Sequence, residues 1–517
     1  MNAWMRVTLR VSAIMACLAS LTWLILVLVR PSLDPAKIQT LPLIGAAWLV
    51  FAVAAWLLRK TPVHAAIPLI LIGAFAVQIA ALSAPPAQSS DLYRYIWDGR
   101  VQAAGIDPYN YPPEDKGVAF LRNDFLWSGT TGKGHYGGCA ETTIVNKADP
   151  ARGVVAGCAR LNRVWAPTIY PPVAEAYFLG VQLVAPKDTS TTPIQAAAAL
   201  CAIATTLILL FGLRILGRDI RMASLWAWCP TVALEAGNNA HVDVLAVAIT
   251  ALAMIVLARA RTENRTIIGG VLLGLGIATK MTPVLVIPAV LRRRWFALVA
   301  SAGTAMAVVY APHAMAVGGR IIGFLPGYLK QEGYTSGRRF GLLDLVFRDK
   351  VATVVAVLIL AGVAYLVWRK SNPDEPWHGA VIMTAAALAV ATPLYQWYAL
   401  LLIMLVAIDG KPEWLGLAAG GYVYAEPLHG PLALPNPEAL GYTAGLALAL
   451  GGVLIRYKLS RQQRPAAVRP FGPLALPATP SAADGILQET STRSETIPSH
   501  APEPAGTYQT AGTSAGA

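Results

Sequence analysis

Charged residues make up only 13% of this 517-residue chain, about half the roughly 25% usual for soluble proteins. A chain so poor in charge cannot dress a set of soluble domains. With 56% of its residues apolar, it buries its hydrophobic surface against lipid and its own helices. Soluble enzymes and DNA-binding modules are excluded on that ground. Cysteine is scarce as well, five residues in all, which excludes a disulfide-stapled secreted domain. No glycine-rich phosphate loop follows a strand, no Walker A pattern occurs, and no internal repeat of fixed period is visible.

What is present is a long series of apolar runs separated by basic clusters. The 41 Lys and Arg against 28 Asp and Glu give a net charge of +13. Those cations lie mostly in short connections and lack the interleaved aromatics of a nucleic-acid surface, so they speak for membrane topology and not for a nucleic-acid partner. Arg6 and Arg10 precede an apolar run from Val11 to Val29, read as a retained first span with the N-terminus inside. Thirteen further candidate spans follow: Leu41–Leu58, Ala65–Ala84, Ile194–Leu213, Ala223–Ala236, Val242–Ala258, Ile267–Thr279, Val284–Leu291, Phe296–Ala311, Val351–Trp368, Gly379–Thr392, Leu394–Ile408, Trp414–Ala425 and Leu440–Ile455. The expected fold is an all-α polytopic membrane protein of about 12–14 transmembrane helices with a large extracytoplasmic loop. Arg59 with Lys60, Arg214 with Arg218 and Arg221, Arg259 with Arg261 and Arg265, Arg292–Arg294, Arg369 with Lys370, and Arg456 with Lys458 then fall on one side, the cytoplasm. Counting Val173–Ala185 as a span would move Arg214–Arg221 outside. That segment is therefore read as an interfacial or re-entrant helix, the alternative being a true span that breaks the charge rule.

Two regions stand apart from the spans. Residues 85–172 form an external loop far longer than an ordinary connection, and residues 312–347 form a second one. Residues 460–517 are rich in Pro, Ser, Thr and Ala, a composition that cannot offset the entropy of ordering; a disordered cytoplasmic tail is expected, leaving residues 1–459 as the transmembrane domain. Cys17, Cys201 and Cys229 sit in apolar spans, whereas Cys139 and Cys158 share the external loop and are a disulfide candidate.

The chemistry gathers at the outer boundary. Directly after the third span comes Ser-Ser-Asp91-Leu-Tyr93-Arg94-Tyr95-Ile-Trp97-Asp98-Gly-Arg100. An interfacial aromatic belt accounts for the rings but not for Asp91, a carboxylate at the end of an apolar helix and placed to act on a substrate held in the membrane. Asp107-Pro-Tyr109-Asn-Tyr111-Pro-Pro follows, and the loop ends in Trp165-Ala-Pro-Thr-Ile-Tyr170-Pro-Pro. Glu235-Ala-Gly-Asn238-Asn239-Ala-His241-Val-Asp243 occupies an outward turn between helices. Asn238 and Asn239 could be helix-end hydrogen bonding, but ionisable His241 and Asp243 at membrane depth are costly. Thr279-Lys280-Met-Thr-Pro283 breaks an apolar stretch, leaving Lys280 either to snorkel or to anchor a phosphate. Arg338 and Arg339 lie just before the chain re-enters the membrane.

These motifs resemble the GT-C superfamily of membrane glycosyltransferases, and more narrowly the polyprenyl-phosphate-mannose-dependent mannosyltransferases and glycosyltransferase family 87. The resemblance covers roughly residues 65–345 and implies a GT-C-like bundle in the plasma membrane with an extracytoplasmic active site. It implies that Asp91 is the catalytic base, although three spans precede it here where many members have one. The activity implied is inverting transfer of a hexose, mannose by resemblance, from a polyprenyl-phosphate donor to a lipid-linked or cell-envelope glycan. Such a reaction needs a base for the acceptor hydroxyl and cations for the departing phosphate, and no general acid. Lys280, Arg338, Arg339 and His241 are the expected phosphate-binding groups. Tyr93, Arg94, Tyr95, Trp97, Asp98, Tyr170, Asn239 and Asp243 are the expected substrate-binding groups. No metal ligands have tight spacing, and a divalent cation is the one cofactor these carboxylates could engage. A transporter or lipid flippase is the competing class, and a noncatalytic scaffold the third.

Overall fold

Helices account for nearly all the regular structure. The computed structural model describes residues 3–30, 40–123, 125–127, 143–145, 157–186, 189–344, 346–391, 395–425 and 437–462. Cys139, the Cys158 side chain and the tail beyond residue 462 lie outside the described residues, as does the disulfide expected between the two cysteines. Apart from an antiparallel ribbon in which Thr143–Val145 pairs with Gly157–Ala159, the described chain is all-α. Residues 1–459 form one unit.

Among the described residues seven helices are long and apolar enough to cross a membrane: Trp4–Val29, Thr40–Leu58, Val63–Ala81, Thr192–Ile215, the run from Trp295 to Gln331, Lys350–Lys370 and Leu440–Leu459. An eighth arises if Val232–Asn238 and Asp243–Ala258, bent by 116°, make one broken span. The rest of the apolar runs read from the sequence are shorter. Trp377–Val390 and Gln396–Asp409 are short apolar helices, and the Val284–Leu291 run is covered by a 3₁₀ turn, Thr282–Val286, and a single α-turn, Ile287–Val290, capped at Leu291. Pro283 and Pro288 interrupt the helical bonding there. The 13-residue helix Pro172–Val184 is about 20 Å long, short of the roughly 30 Å hydrocarbon layer.

Side-chain hydrogen bonds define one end of the bundle. Arg10 donates to the carbonyl of Lys60, and Arg221 to those of Arg59 and Thr61. Arg218 reaches Asp409, Arg259 reaches Ile215, Arg294 reaches Arg261 and Arg292 reaches Ser371. Arg261 and Arg293 share Asp374, while Arg456 pairs with Glu413. The basic clusters of these connections thus lie together, the arginines closing carbonyls at the ends of neighbouring helices. The Asp243–Ala258 helix, 16 residues and about 24 Å long, separates that basic end from the opposite one, where Asp243 sits.

At the opposite end the helix Asp91–Ala103 lies against Pro172–Val184. A Cβ added at Gly99 would stand 2.6 Å from the Phe178 carbonyl oxygen, so only glycine permits this approach. Tyr95 stacks on Phe178 with centroids 4.4 Å apart. Arg94 and Asp98 form a buried ion pair at 2.9 Å; burial pushes the Asp98 carboxyl above its ordinary range, with the Arg94 guanidinium pulling against it. Gln102 and Thr168 donate to the two oxygens of the buried Glu175 at 2.8 and 2.6 Å. This network fixes the helix whose first residue is Asp91.

Candidate active site

Asp91 occupies the N-terminus of its helix, where unpaired amides and the helix dipole favour a carboxylate. Its Oδ1 accepts a hydrogen bond from Asn162 Nδ2 at 2.6 Å, and its Oδ2 stands 3.7 Å from His241 Nδ1. The opposite ring nitrogen of His241 is 3.6 Å from Glu235. Glu235 in turn accepts hydrogen bonds from Asn239 and from Tyr422, both at 3.0 Å. A π-helical turn, Val232–Asn238, followed by Ala240 at φ +54°, delivers this arrangement. A non-glycine residue in the left-handed region costs on the order of 1–3 kcal/mol and persists only where its surroundings demand it.

Lys280 follows the Glu263–Ile277 helix and pairs with Asp243 at 3.0 Å. Its ammonium lies 5.4 Å from the Tyr170 ring centroid and 5.7 Å from that of Tyr398. A buried carboxylate and two aromatic faces hold the charge in place, and at 16% exposure it is not a snorkelling lysine.

Asp91 and Lys280 line one cavity of about 510 Å³. Its polar lining includes Gln88, Ser89, Ser90, Asn162 and Arg163, its apolar lining Met281, Val284, Leu285, Leu325 and Leu329, and tyrosines with Trp397 make up much of the rest. The cavity is therefore amphipathic. A second hollow of about 590 Å³, between Glu263–Ile277 and Trp295–Val317, has almost wholly apolar walls and no catalytic group beyond Glu263.

Several sequence expectations change position. His241 is wholly buried, its ring stacked on Trp397 at 3.9 Å, and it is not among the residues lining the cavity. The π-turn directs it inward, behind Asp91. Arg338 is exposed and off the wall, whereas Arg339 is buried. Arg339 pairs with Glu332 at 2.8 Å and lies over the rings of Tyr334 and Tyr395, both of which line the cavity. Tyr95 and Trp97 are core residues whose rings pack on Phe178 and Trp127, and Tyr93 packs on Phe125. Arg94 and Asp98 serve each other. Of the expected substrate-binding aromatics only Tyr170 reaches the cavity, while Asn239 holds Glu235 and Asp243 holds Lys280. Among the described residues no group of three or more His, Cys, Asp or Glu side chains could hold a metal ion.

The sequence reading missed Asn162, Arg163, Tyr328, Glu332 and the run Tyr395-Gln-Trp397-Tyr398. The last had a signal: three aromatics within five residues of Pro393 in an otherwise aliphatic stretch. Tyr395 stacks on Trp397 at 4.5 Å and 3°, extending the pile that begins at His241.

Among known proteins, residues 168–393 match the family model of glycosyltransferase family 87. This agrees with the resemblance read from the motifs and supports a membrane glycosyltransferase. The matched stretch contains His241, Asp243, Lys280 and Arg339 and begins after Asp91. Two solved structures from Archaeoglobus fulgidus are also similar. One is its oligosaccharyltransferase tethered by a disulfide to an acceptor peptide containing the NVT sequon, at 12% identity over 76% of this chain and 54% of that one, with a TM-score of 0.33. The other is the archaeal oligosaccharyltransferase AglB in complex with an inhibitory peptide and a dolichol-phosphate, at 12% identity over 76% and 55%, with a TM-score of 0.29. The chain spans about half the length of these structures. No curated protein matches it.

Proposed function

With residues 168–393 matching glycosyltransferase family 87, we propose that this protein is an inverting transferase. It moves a hexose, mannose by resemblance, from a polyprenyl phosphate to a lipid-linked or cell-envelope glycan on the extracytoplasmic face of the plasma membrane. The observation that carries the reading is that one carboxylate, Asp91, and one largely enclosed ammonium, Lys280, line the same amphipathic cavity. Asp91 takes the proton of the acceptor hydroxyl as its oxygen forms the bond to the anomeric carbon, and the bond from that carbon to the phosphate oxygen breaks on the opposite side. Lys280, with the hydroxyls of Tyr328 and Tyr398 that lie 3.0 Å apart, stabilises the charge of the departing phosphate, which leaves as an anion and needs no acid. Arg163 on the cavity wall and Arg339 behind Tyr334 and Tyr395 add positive potential. The apolar lining residues receive the first isoprene units, and Ser89, Ser90 and Asn162 receive the acceptor sugar.

The test is transfer from a labelled polyprenyl-phosphate hexose in membranes carrying Asp91→Asn. The expected loss is about 10²–10⁴-fold with unchanged expression and melting temperature. Undiminished transfer would remove Asp91 from the mechanism.

A further inference from the structure

Asn162 stands 71 positions from Asp91 in the chain, yet it makes the shortest contact to the carboxylate. Its amide donates to Oδ1 at 2.6 Å and reaches Ser90 Oγ at 3.4 Å. The next residue, Arg163, holds φ +46°, a left-handed conformation that a non-glycine residue adopts at a cost. The two side chains of this dipeptide then have different partners, Asn162 the Asp91 carboxylate and Arg163 the 325–332 segment. Arg163 crosses to the 325–332 segment, pairing with Glu332 at 3.0 Å, bonding to Gln331 at 3.1 Å and lying 5.5 Å from the Tyr328 ring centroid. Glu332 is shared with Arg339.

Resting on the reading of Asp91 as base, we infer that Asn162 is its positioning residue and that Arg163 ties this hydrogen bond to the wall where the donor phosphate sits. An amide donating to a carboxylate favours the ionised form, the one that accepts the acceptor's proton, and it aims the free oxygen. The other charged or titratable groups around Asp91 are His241 at 3.7 Å, the Lys280–Asp243 pair, and the hydroxyls of Tyr95 and Tyr170, all within its electrostatic reach. None of the protein's other side chains donates to Oδ1 at comparable distance among the described residues. A donor that displaces Tyr328 or Glu332 pulls on Arg163, and through one peptide unit on Asn162, so that filling the phosphate wall adjusts the base.

The experiment compares Asn162→Ala, Asn162→Ser and Asn162→Asp in the full-length protein, measuring kcat and KM for a polyprenyl-phosphate hexose across pH. Asn162→Ala should lower kcat about tenfold or more with little change in KM for the donor, and move the acidic limb of the profile upward by about one pH unit. Asn162→Ser, which keeps a donor, should recover part of that shift, and Asn162→Asp should enlarge it by setting two carboxylates against each other. Arg163→Gln and Glu332→Gln, which cut the same tie, should each give a smaller shift in the same direction. An Asn162→Ala profile superimposable on that of the parent, or a Ser variant indistinguishable from Ala, would overturn the assignment; Arg163→Gln changing KM alone would overturn the tie. Asp91→Asn run alongside separates the two levels: its full activity sinks the base itself, whereas its inactivity beside an unperturbed Asn162→Ala sinks only this inference.

Discussion

Lys280 and Asp243 form an ion pair in which the ammonium is 16% and the carboxylate 3% exposed, so each depends on the other for its charge. Removing one partner of such a pair costs about 3–5 kcal/mol because the survivor is stranded. Lys280→Met should therefore lower the melting temperature as well as transfer. Lys280→Met combined with Asp243→Leu should restore the melting temperature and leave transfer reduced by about 10²–10³-fold, which thermal unfolding and the labelled-donor assay read separately. Asp91, Asp243 and Lys280 were legible in the sequence because a charge at membrane depth needs a reason. Asn162 was not, and Tyr395–Trp397 offered only their clustering as a signal. They are neutral, and the contact between Asn162 and Asp91 exists only once 71 positions of chain have been folded back.

The Asp91–Ala103 helix shows what a one-dimensional reading loses. Its alternation of rings and charges suggested a surface of sugar-stacking aromatics, but the segment is packed on more than one side, so Leu92, Tyr95, Trp97 and Asp98 are all buried. Only its first residue faces the cavity. The contact at Gly99 sets the position of that residue. Gly99→Ala should push the helix off Phe178, destabilise the protein by about 1–3 kcal/mol and reduce transfer beyond what the lost stability explains, since a base displaced by about 1 Å loses on the order of 10²-fold. Transfer assayed well below the melting temperature distinguishes the two effects. The broken element at 232–243 was visible as a polar turn between apolar runs. Its π-helical geometry was not, because a π-turn is selected by tertiary hydrogen bonds such as that from Tyr422 to Glu235.

Across the whole molecule the basic clusters were the most reliable signal. Their collection at one end of the bundle follows from simple counting of spans, even though several of the fourteen apolar runs are too short to cross alone. Short helices escape correction in a sequence because a buried bundle helix and a spanning one share the same composition. If the basic end is cytoplasmic, a single cysteine at Gln88, beside Asp91, should react with an impermeant maleimide on intact cells, and one at Arg261 only after permeabilisation. The reverse pattern would put the cavity on the inner leaflet.

The apolar lining of that cavity has a kinetic corollary. Met281 and Val284 are about half exposed there; under the proposed function an isoprenoid donor would arrive sideways from the lipid without entering water. Encounter would then be a two-dimensional search, its frequency governed by the mole fraction of donor in one leaflet, and saturation curves would be comparable between preparations only when plotted per unit of bilayer area.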